Sequence, residues 1–248
     1  MTRARAVSVE DFLYRLRQGT PRAWVTRTLI ALNLAIWLAN LADGLDPMTP
    51  TARELLAWGG NLLPFTQREP WRLFSAMFLH AGAIHLGFNM WALWNLGNIA
   101  ERFYGNTQFA LIYLFSGLFG SLASLFFAAR MAVSVGASGA IFGVTGALLA
   151  AVLHKRDRLP APLVASMRAS LLIFVGYSLF LGFTSGVVDN AAHIGGLVSG
   201  YLLAWCMAGK FDWANYRRTA VSRALLAVGL ALIALFMLWQ LLPARPAL

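Results

Sequence analysis

Long runs of apolar residues alternate along this chain with short polar gaps. Seven runs approach the roughly 20 residues that a helix needs to cross a membrane. They cover residues 25–41, 84–99, 109–129, 138–153, 167–187, 191–207 and 221–242. The pattern therefore predicts an all-α membrane protein with about seven membrane-spanning helices.

The polar gaps between the runs alternate in charge. The N-terminal segment is basic, the gap after the second run holds Glu101 and Arg102, and the gaps after the fourth and sixth runs hold further lysines and arginines. If every run crosses, these gaps share one side, and the other side has Arg130 and Asp189. Because basic loops stay in the cytoplasm, we expect the N-terminus inside and the C-terminus outside.

Composition supports the membrane class and argues against others. Of the 248 residues, 59% are hydrophobic and 12% charged, whereas soluble domains average about 25% charged. The net charge of +10 falls in the gaps rather than on one face of a folded domain, so we expect no nucleic-acid partner. The single cysteine, Cys206, excludes an intramolecular disulfide, and we expect no metal and no cofactor.

Two segments outside the runs are predicted to contact the membrane surface. In the N-terminal segment, Phe12, Leu13 and Leu16 have helical spacing, which indicates a short amphipathic helix lying on the membrane. The connection of residues 42–83 is long and rich in aromatic residues, which favour the interface. We expect this connection to lie partly in the outer leaflet.

The fourth run is too short to cross the membrane fully. Residues 138–153 make a helix of about 24 Å, against a hydrocarbon core of about 30 Å. If the basic end lies at the cytoplasmic surface, the first residue lies below the outer surface. Irregular backbone at that depth must be buried in protein or line a watery cavity. We therefore expect residues 133–137 to line a cavity open to the outside.

The first chemical feature is the sequence Gly136-Ala137-Ser138-Gly139 at the start of this short helix. A helix N-terminus offers free backbone N–H groups to a developing negative charge. Glycine permits a tight turn there. A nucleophilic serine at this point would have an oxyanion site in its own surroundings. Taken alone, the motif is weak, because a serine before a glycine at a helix start is more often only an N-cap.

The second feature is His193 near the outer end of the sixth run, about level with Ser138. An ionisable residue inside a span is costly and indicates function, although a histidine bonded to a carbonyl for packing would look the same. Gly196 and Gly200 follow it on the same helix face, and Gly139 and Gly143, which are also four residues apart, follow Ser138 in the fourth run. Such glycine spacing lets two helices approach closely in lipid. Contact between the two glycine faces would bring Ser138 and His193 together.

The third feature is the pair His85 and Asn89, which share one face of the second run. Both side chains can donate hydrogen bonds to an oxyanion, and packing between helices is the alternative. His80, in the preceding loop, receives no predicted role. Asp189 lies four residues before His193 near the surface, where a carboxylate in water would add little orientation, so we do not expect it to complete a triad.

With these motifs in this order, the chain resembles the rhomboid family of intramembrane serine proteases over nearly its whole length. The resemblance rests on Trp71-Arg72, on His85 with Asn89, on residues 136–139, and on His193 with its glycines. It implies a rhomboid-like six-helix transmembrane core, residues 25–209, after a cytoplasmic segment, residues 1–24. Residues 210–248 would be a linker and an extra C-terminal transmembrane helix.

The resemblance also implies the roles of the site residues. Ser138 would be the nucleophile and His193 the general base of a dyad without an aspartate. His85, Asn89 and the Ser138 backbone N–H would bind the oxyanion, and Gly136 would shape the turn that presents that N–H. Phe142 occupies a position where some members have tyrosine, so the stacking ring is kept and the hydroxyl is absent.

The resemblance implies that the substrates are single-span transmembrane proteins with small residues at the cut site. Because a helical peptide bond is shielded by its own hydrogen bonds, we also expect substrates that unwind easily near their outer ends. The absence of an evident organelle-targeting extension favours a bacterial inner membrane. Three alternatives remain: a non-proteolytic rhomboid-like protein that binds membrane-protein clients, a transporter with a broken helix, and a lipid esterase using the same dyad. The presence of both Ser138 and His193 argues against the first, and the lack of an inverted repeat against the second.

Overall fold

A computed structural model describes residues 8–127, 132–185 and 188–243. Arg130 and the predicted ends of the third and fifth runs, residues 128–129 and 186–187, lie outside the described residues. In chain order the α-helices are α1 (Val9–Gly19), α2 (Trp24–Ala42), α3 (Ala52–Ala57), α4 (Leu63–Thr66), α5 (Arg72–Ser75), α6 (Ala83–Ala92), α7 (Asn98–Tyr104), α8 (Asn106–Phe127), α9 (Ser138–His154), α10 (Ala161–Ser185), α11 (Asn190–Cys206) and α12 (Trp213–Gln240).

Within the described residues, each of the seven apolar runs is helical over most of its length, and the all-α membrane fold is confirmed. By length and apolarity, α2, α8, α10 and α12 can each cross a membrane, and a fifth span is possible if the bent pair Arg72–Phe78 and Ala83–Tyr104 counts as one. α9 is apolar but shorter, with 17 residues, or about 25 Å. The short helix of the fourth apolar run, α9, was therefore predicted correctly, including its start at Ser138.

The second run is longer than predicted, and this changes the position of Glu101. α6 continues through a π-helical turn, Leu93–Gly97, into α7, so the helix ends at Tyr104 rather than near residue 99. The prediction that Glu101 lies in a solvated gap is wrong, because its side chain is fully buried. Its carboxylate accepts hydrogen bonds from the backbone N–H groups of Val25 and Thr26, at 2.9 Å each, and from the Thr26 hydroxyl. Glu101 thus satisfies free donors at the start of α2, where the helix dipole favours a negative charge.

α9 is the central helix of the bundle. Every residue from Gly139 to Val152 is buried, and the helix packs against α8, α10 and α11. Its glycines and alanines keep its surface narrow, which lets neighbouring backbones approach closely without a hydrophobic driving force. The residue at its N-terminus, Ser138, is partly exposed. The bundle therefore holds one end of a buried helix near solvent.

The long connection between α2 and α6 is ordered by Asn61. Its backbone pairs with that of Ser134, in the segment before α9, through N–H···O bonds of 3.0 and 2.8 Å. Its side-chain amide donates to the Ser121 carbonyl of α8 at 2.8 Å and accepts from the Thr66 hydroxyl at 2.9 Å. Asn61 is buried, so all these bonds form away from water. The connection is thereby fixed to the segment that leads to Ser138.

Arg72 holds the same connection from the other side. The side chain is 7% exposed and donates to the carbonyl oxygens of Leu56, at 2.6 Å, and Gly60, at 3.3 Å. Its Nε bonds to the Glu69 carboxylate at 2.6 Å, so the buried charge is paired. The neighbouring Trp71 is half exposed, as expected for a side chain at a membrane interface.

The helix of the seventh apolar run, α12, begins at Trp213, eight residues earlier than predicted. Arg223, near the start of the predicted seventh run, lies within this helix and donates to the Cys206 carbonyl at the end of α11. Lys155 donates to the Met207 carbonyl at 2.8 Å. Burial, together with the nearby Arg223 charge, lowers the pKa of Lys155 to about 8. Two basic side chains thus satisfy carbonyls at the C-terminal end of α11, where the helix dipole favours positive charge.

The two ends of the chain also pack on the bundle. In α1, Phe12 and Leu16 are buried while Leu13 is exposed, so the helix is amphipathic. Phe12 and Leu16 belong to the core of the bundle, and the predicted position of this helix on the membrane stays a prediction. The Phe12 ring packs edge-on against Phe103 of α7, with centroids 6.2 Å apart. At the other end, Trp239 of α12 packs on a small apolar cluster formed by Leu63, Leu122 and Leu125.

Candidate active site

The turn before α9 determines where Ser138 lies. Gly136 has φ = +127°, a conformation that side chains rarely adopt, and its N–H donates to the Ala76 carbonyl at 2.9 Å. Ala137 is completely buried and precedes the first helical residue, Ser138. The bridge between Asn61 and Ser134 fixes the segment upstream. The turn therefore places the Ser138 hydroxyl at a helix N-terminus, next to unpaired backbone donors.

His193 lies in the first turn of α11 and is 5% exposed. Asp189 is the N-cap residue of this helix, and its carboxylate accepts from the Ala192 backbone N–H at 2.9 Å. The His193 ring is stacked on Phe142, with centroids 4.0 Å apart and planes at 11°. Phe142 in turn contacts Phe174 of α10. The imidazole is therefore oriented by an aromatic face rather than by a carboxylate.

The glycine faces of α9 and α11 are in direct contact. A Cβ atom placed on Gly196 would overlap the Gly139 carbonyl oxygen and lie 2.8 Å from its carbon. A Cβ on Gly200 would lie 2.5 Å from the Cα of Gly143. No real Cβ makes such contacts with backbone, so the two helices touch at van der Waals distance. The predicted glycine-to-glycine packing is confirmed, and it brings the first turns of both helices together.

Within the described residues, no hydrogen bond joins Ser138 to His193. The Nδ1 atom of His193 is buried and has no partner in the same part of the chain. Catalytic hydrogen bonds are often long in a free enzyme and shorten only when substrate binds. The contact between α9 and α11 is therefore the observation that places Ser138 and His193 on adjoining helix turns.

His85 approaches Ser138 from α6. A Cβ placed on Gly136 would lie 2.9 Å from His85 Nε2 and 3.7 Å from Ser138 Oγ, so both polar atoms converge on this glycine. His85 Nδ1 accepts a hydrogen bond from the Ala81 N–H at 3.3 Å. In the neutral ring the proton is then on Nε2, which makes that atom a hydrogen-bond donor beside Gly136. A glycine at 136 is required both by its φ angle and by this closeness.

Asn89 is buried one helical turn beyond His85. Its side-chain nitrogen donates to the His85 carbonyl at 2.8 Å. An amide nitrogen has two hydrogens, so one remains for a second acceptor. The structure thus brings His85, Gly136 and Ser138 together and places Asn89 on the helix that carries His85.

Two residues near the site were missed from the sequence. His80 is 2% exposed, and its ring contacts that of His85 edge-on with centroids 5.2 Å apart. Asn61 holds the segment before Ser138, and its position in a polar loop gave no signal. For His80, the only sign of a role in the sequence was its position five residues before His85. Among the described residues, no group of three or more His, Cys, Asp or Glu side chains could hold a metal ion.

The fold and these side chains define a class: a multi-pass α-helical membrane protein with a serine and a histidine at the contact between two buried helices. The particular family follows from comparison with known proteins. The Rhomboid domain matches residues 67–210, and the chain belongs to the rhomboid family. This match includes His85, Asn89, Ser138 and His193.

Individual relatives give the same result. The chain is 37% identical over 208 residues to Rhomboid protease GluP of Bacillus subtilis, covering 82% of this chain and 39% of that protein. It is 30% identical over 230 residues to Rhomboid protease AarA of Providencia stuartii, covering 82% and 80%. RHOMBOID-like protein 6, mitochondrial, of Arabidopsis thaliana is 39% identical over 230 residues, covering 80% and 74%. These names support a serine protease reaction within the membrane at the level of the family.

Proposed function

We propose that this protein is an intramembrane serine endopeptidase that hydrolyses peptide bonds of transmembrane substrates with Ser138 and His193 as a dyad. The supporting observation is the glycine contact, which packs the helix start bearing Ser138 against the first turn of α11 bearing His193. A serine nucleophile needs a general base within hydrogen-bond reach, and His193 is on the adjoining turn. Named relatives that are rhomboid proteases support the same reaction.

In the proposed mechanism, Ser138 Oγ attacks the carbonyl carbon of the scissile bond while His193 removes the hydroxyl proton. The negative charge on the carbonyl oxygen is stabilised by the Ser138 backbone N–H, His85 Nε2 and the Asn89 amide. His193 then gives its proton to the leaving amine as the C–N bond breaks. Water, deprotonated by His193, hydrolyses the acyl-enzyme and restores both side chains.

The substrate class follows from the same chemistry. A peptide bond inside a helix is shielded by its own hydrogen bonds, so a substrate must unwind locally before Ser138 can attack it. We therefore propose single-span transmembrane proteins with residues of low helix propensity near the outer end of the span. The charge pattern supports an N-terminus in the cytoplasm and cleavage near the outer face. We propose a bacterial inner membrane as the location.

Covalent labelling with a serine-reactive phosphonate probe tests this proposal. The probe should attach to Ser138 in the purified protein, and Ser138→Ala and His193→Ala should each lower cleavage of a transmembrane substrate by roughly 10⁴-fold or more. Ser222→Ala, an exposed serine of α12, is the matched control and should leave both signals unchanged. A folded Ser138→Ala variant that keeps more than a few per cent of activity would refute the assignment.

The same experiment separates the competing functions. A folded wild-type protein that takes up no probe and cleaves nothing, but retains membrane-protein clients, would be a non-proteolytic relative. Probe uptake with release of fatty acid instead of peptide would identify a lipid esterase. Uptake of a solute that is unaffected by Ser138→Ala would identify a transporter.

A further inference from the structure

A charged pocket lies at the end of the bundle opposite Ser138. It has a volume of about 1030 Å³ and is formed by α1, the connection from α9 to α10 and the connection from α11 to α12. The α9–α10 connection follows the C-terminal end of α9, whose first residue is Ser138. The proposed catalytic mechanism uses none of the side chains of this pocket, so a role for the pocket is separate from the reaction.

The pocket lies where two membrane-spanning helices begin. α10 begins at Ala161 and α12 at Trp213, and both residues line the pocket. With 25 and 28 residues, the two helices are about 38 and 42 Å long, which exceeds a hydrocarbon core of about 30 Å. Their first turns therefore reach the headgroup layer, and the half-exposed Trp213 is a typical side chain of that layer.

The described lining of the pocket carries more positive than negative charge. Its charged side chains are Arg15, Arg158, Lys210 and Asp157. Arg158 is paired with Asp212 at 3.4 Å, and Asp157 lies 3.9 Å from the guanidinium of Arg156, outside the lining. Within the described residues, Arg15 and Lys210 form no ion pair. The charge of these two side chains is therefore complementary to an anion in the pocket.

Lys210 is held in the wall of the pocket by neutral groups. Its Nζ atom donates to the Gly19 carbonyl at 2.5 Å and to the Thr20 hydroxyl at 3.0 Å, at the C-terminal end of α1. Partial burial lowers the pKa of Lys210 below its usual range. An ammonium group has three hydrogens, so one remains for another acceptor. A bound anion would offset the cost of burying this charge.

Apolar side chains form the rest of the pocket. Phe12, Leu16 and Leu159 are buried in its wall, and Phe211 is half-buried beside them. A ligand that fills the pocket therefore needs an apolar part as well as a negative charge. A phospholipid with a net negative charge has both, whereas a free phosphate would leave the apolar surface uncovered. Basic pockets between helices at the membrane surface suit such headgroups.

From these observations we infer that the pocket between α1 and the starts of α10 and α12 binds the headgroup of an anionic phospholipid, of the phosphatidylglycerol class. Its phosphate binds Arg15 and Lys210, and the adjoining apolar part of the lipid lies against Phe12 and Leu159. The bound lipid attaches α1 to the ends of two membrane-spanning helices. This site is independent of the reaction proposed at Ser138.

Native mass spectrometry of the full chain, released from nanodiscs of phosphatidylglycerol and phosphatidylcholine in equal parts, tests this inference. Both lipids contain a phosphate, and phosphatidylglycerol alone of the two has a net charge. The wild type should retain phosphatidylglycerol about tenfold over phosphatidylcholine. Equal retention of the two lipids would overturn the assignment.

Two arginines of α1 separate this pocket from a general attraction to the membrane. Arg15→Gln removes one of the two unpaired cations of the pocket and should lower the preference for phosphatidylglycerol about fivefold. Arg17→Gln makes the same change of charge on the same helix outside the described lining, and it should leave the preference close to wild type. Both side chains are exposed, so neither change disturbs the core. An equal loss in the two variants would refute the site.

A soluble competitor distinguishes the lipid from a free phosphorylated ligand. The melting temperature should be measured in phosphatidylcholine nanodiscs, with glycerol 3-phosphate added or with phosphatidylglycerol included. Phosphatidylglycerol should raise the melting temperature of the wild type, and Arg15→Gln should lose this rise. Glycerol 3-phosphate has the anionic group without the acyl chains, so it should cause no change. A rise with glycerol 3-phosphate that Arg15→Gln abolishes would identify a soluble ligand and overturn the lipid assignment.

Discussion

Gly196 offers a sharp test of how the two helices of the candidate site are held together. Its hydrogen faces the backbone of Gly139, so a Cβ there would overlap the carbonyl oxygen and lie 3.3 Å from the Cα. Neither backbone atom can rotate away as a side chain could. Even Gly196→Ala must therefore separate α9 from α11, and Gly196→Val must do so further.

The expected magnitudes follow from this contact. A separation on the order of 1 Å at a catalytic pair lowers the rate by about 100-fold. Forcing an extra methyl group into a packed interface costs about 1–3 kcal/mol of stability. Helix propensity acts in the opposite direction, since alanine is favoured over glycine by about 1 kcal/mol inside a helix. A net loss of stability for Gly196→Ala would therefore reflect the contact between α9 and α11, because the change in helix propensity alone would raise the stability.

Gly229 in α12 is the matched control, because a Cβ there meets no atom within 4 Å. Cleavage rate of a transmembrane substrate and melting temperature should be measured for alanine and valine at both positions. We expect both quantities to fall at Gly196 and to stay close to wild type at Gly229, whereas Ser138→Ala should lose activity alone. Equal tolerance at the two glycines would show that the contact between α9 and α11 does not position the catalytic pair.

Changes at four further residues test the surroundings of the dyad and the cap of α2. His85→Ala and Asn89→Ala should each lower kcat by about 10- to 1000-fold, because the remaining donors share the oxyanion charge; an unchanged kcat with a raised KM would make them binding or structural residues. Phe142→Leu removes the ring stacked on His193 and should lower kcat by about 3- to 10-fold, with Phe142→Tyr restoring it. Glu101→Ala should lower the free energy of unfolding by roughly 1–3 kcal/mol per unpaired group, while kcat of the folded fraction stays near wild type; a large loss of kcat in that fraction would contradict its structural role.

The apolar runs predicted the helices well because hydrophobicity over some 20 residues is a local property. The start of α9 at Ser138 was also predictable, since glycines and a short run together mark it. Glu101 shows the limit of this approach. A carboxylate near the end of a run looks like part of a loop, and only the position of α2 shows that it caps another helix from within the bundle.

The candidate site was predictable to the extent that its residues occur in short motifs. Ser138, His193, His85 and Asn89 each stand out as polar groups in apolar surroundings. Asn61 did not stand out, because it lies in a polar connection and acts on Ser134, more than 70 residues away. Asn61 matters because its backbone pairs with that of Ser134, and a pairing between distant segments leaves no local pattern in the sequence.

The sequence by itself determined the class of fold, the chemistry of the side chains and the two glycine faces, because each follows from composition or from helical spacing. The tertiary structure decided which surfaces meet. The contact of Gly139 with Gly196, the stacking of His193 on Phe142 and the capping of α2 by Glu101 all depend on how separate helices pack. In lipid that packing is set by close fit between backbones and by pairing of buried polar groups, and both are properties of the assembled bundle.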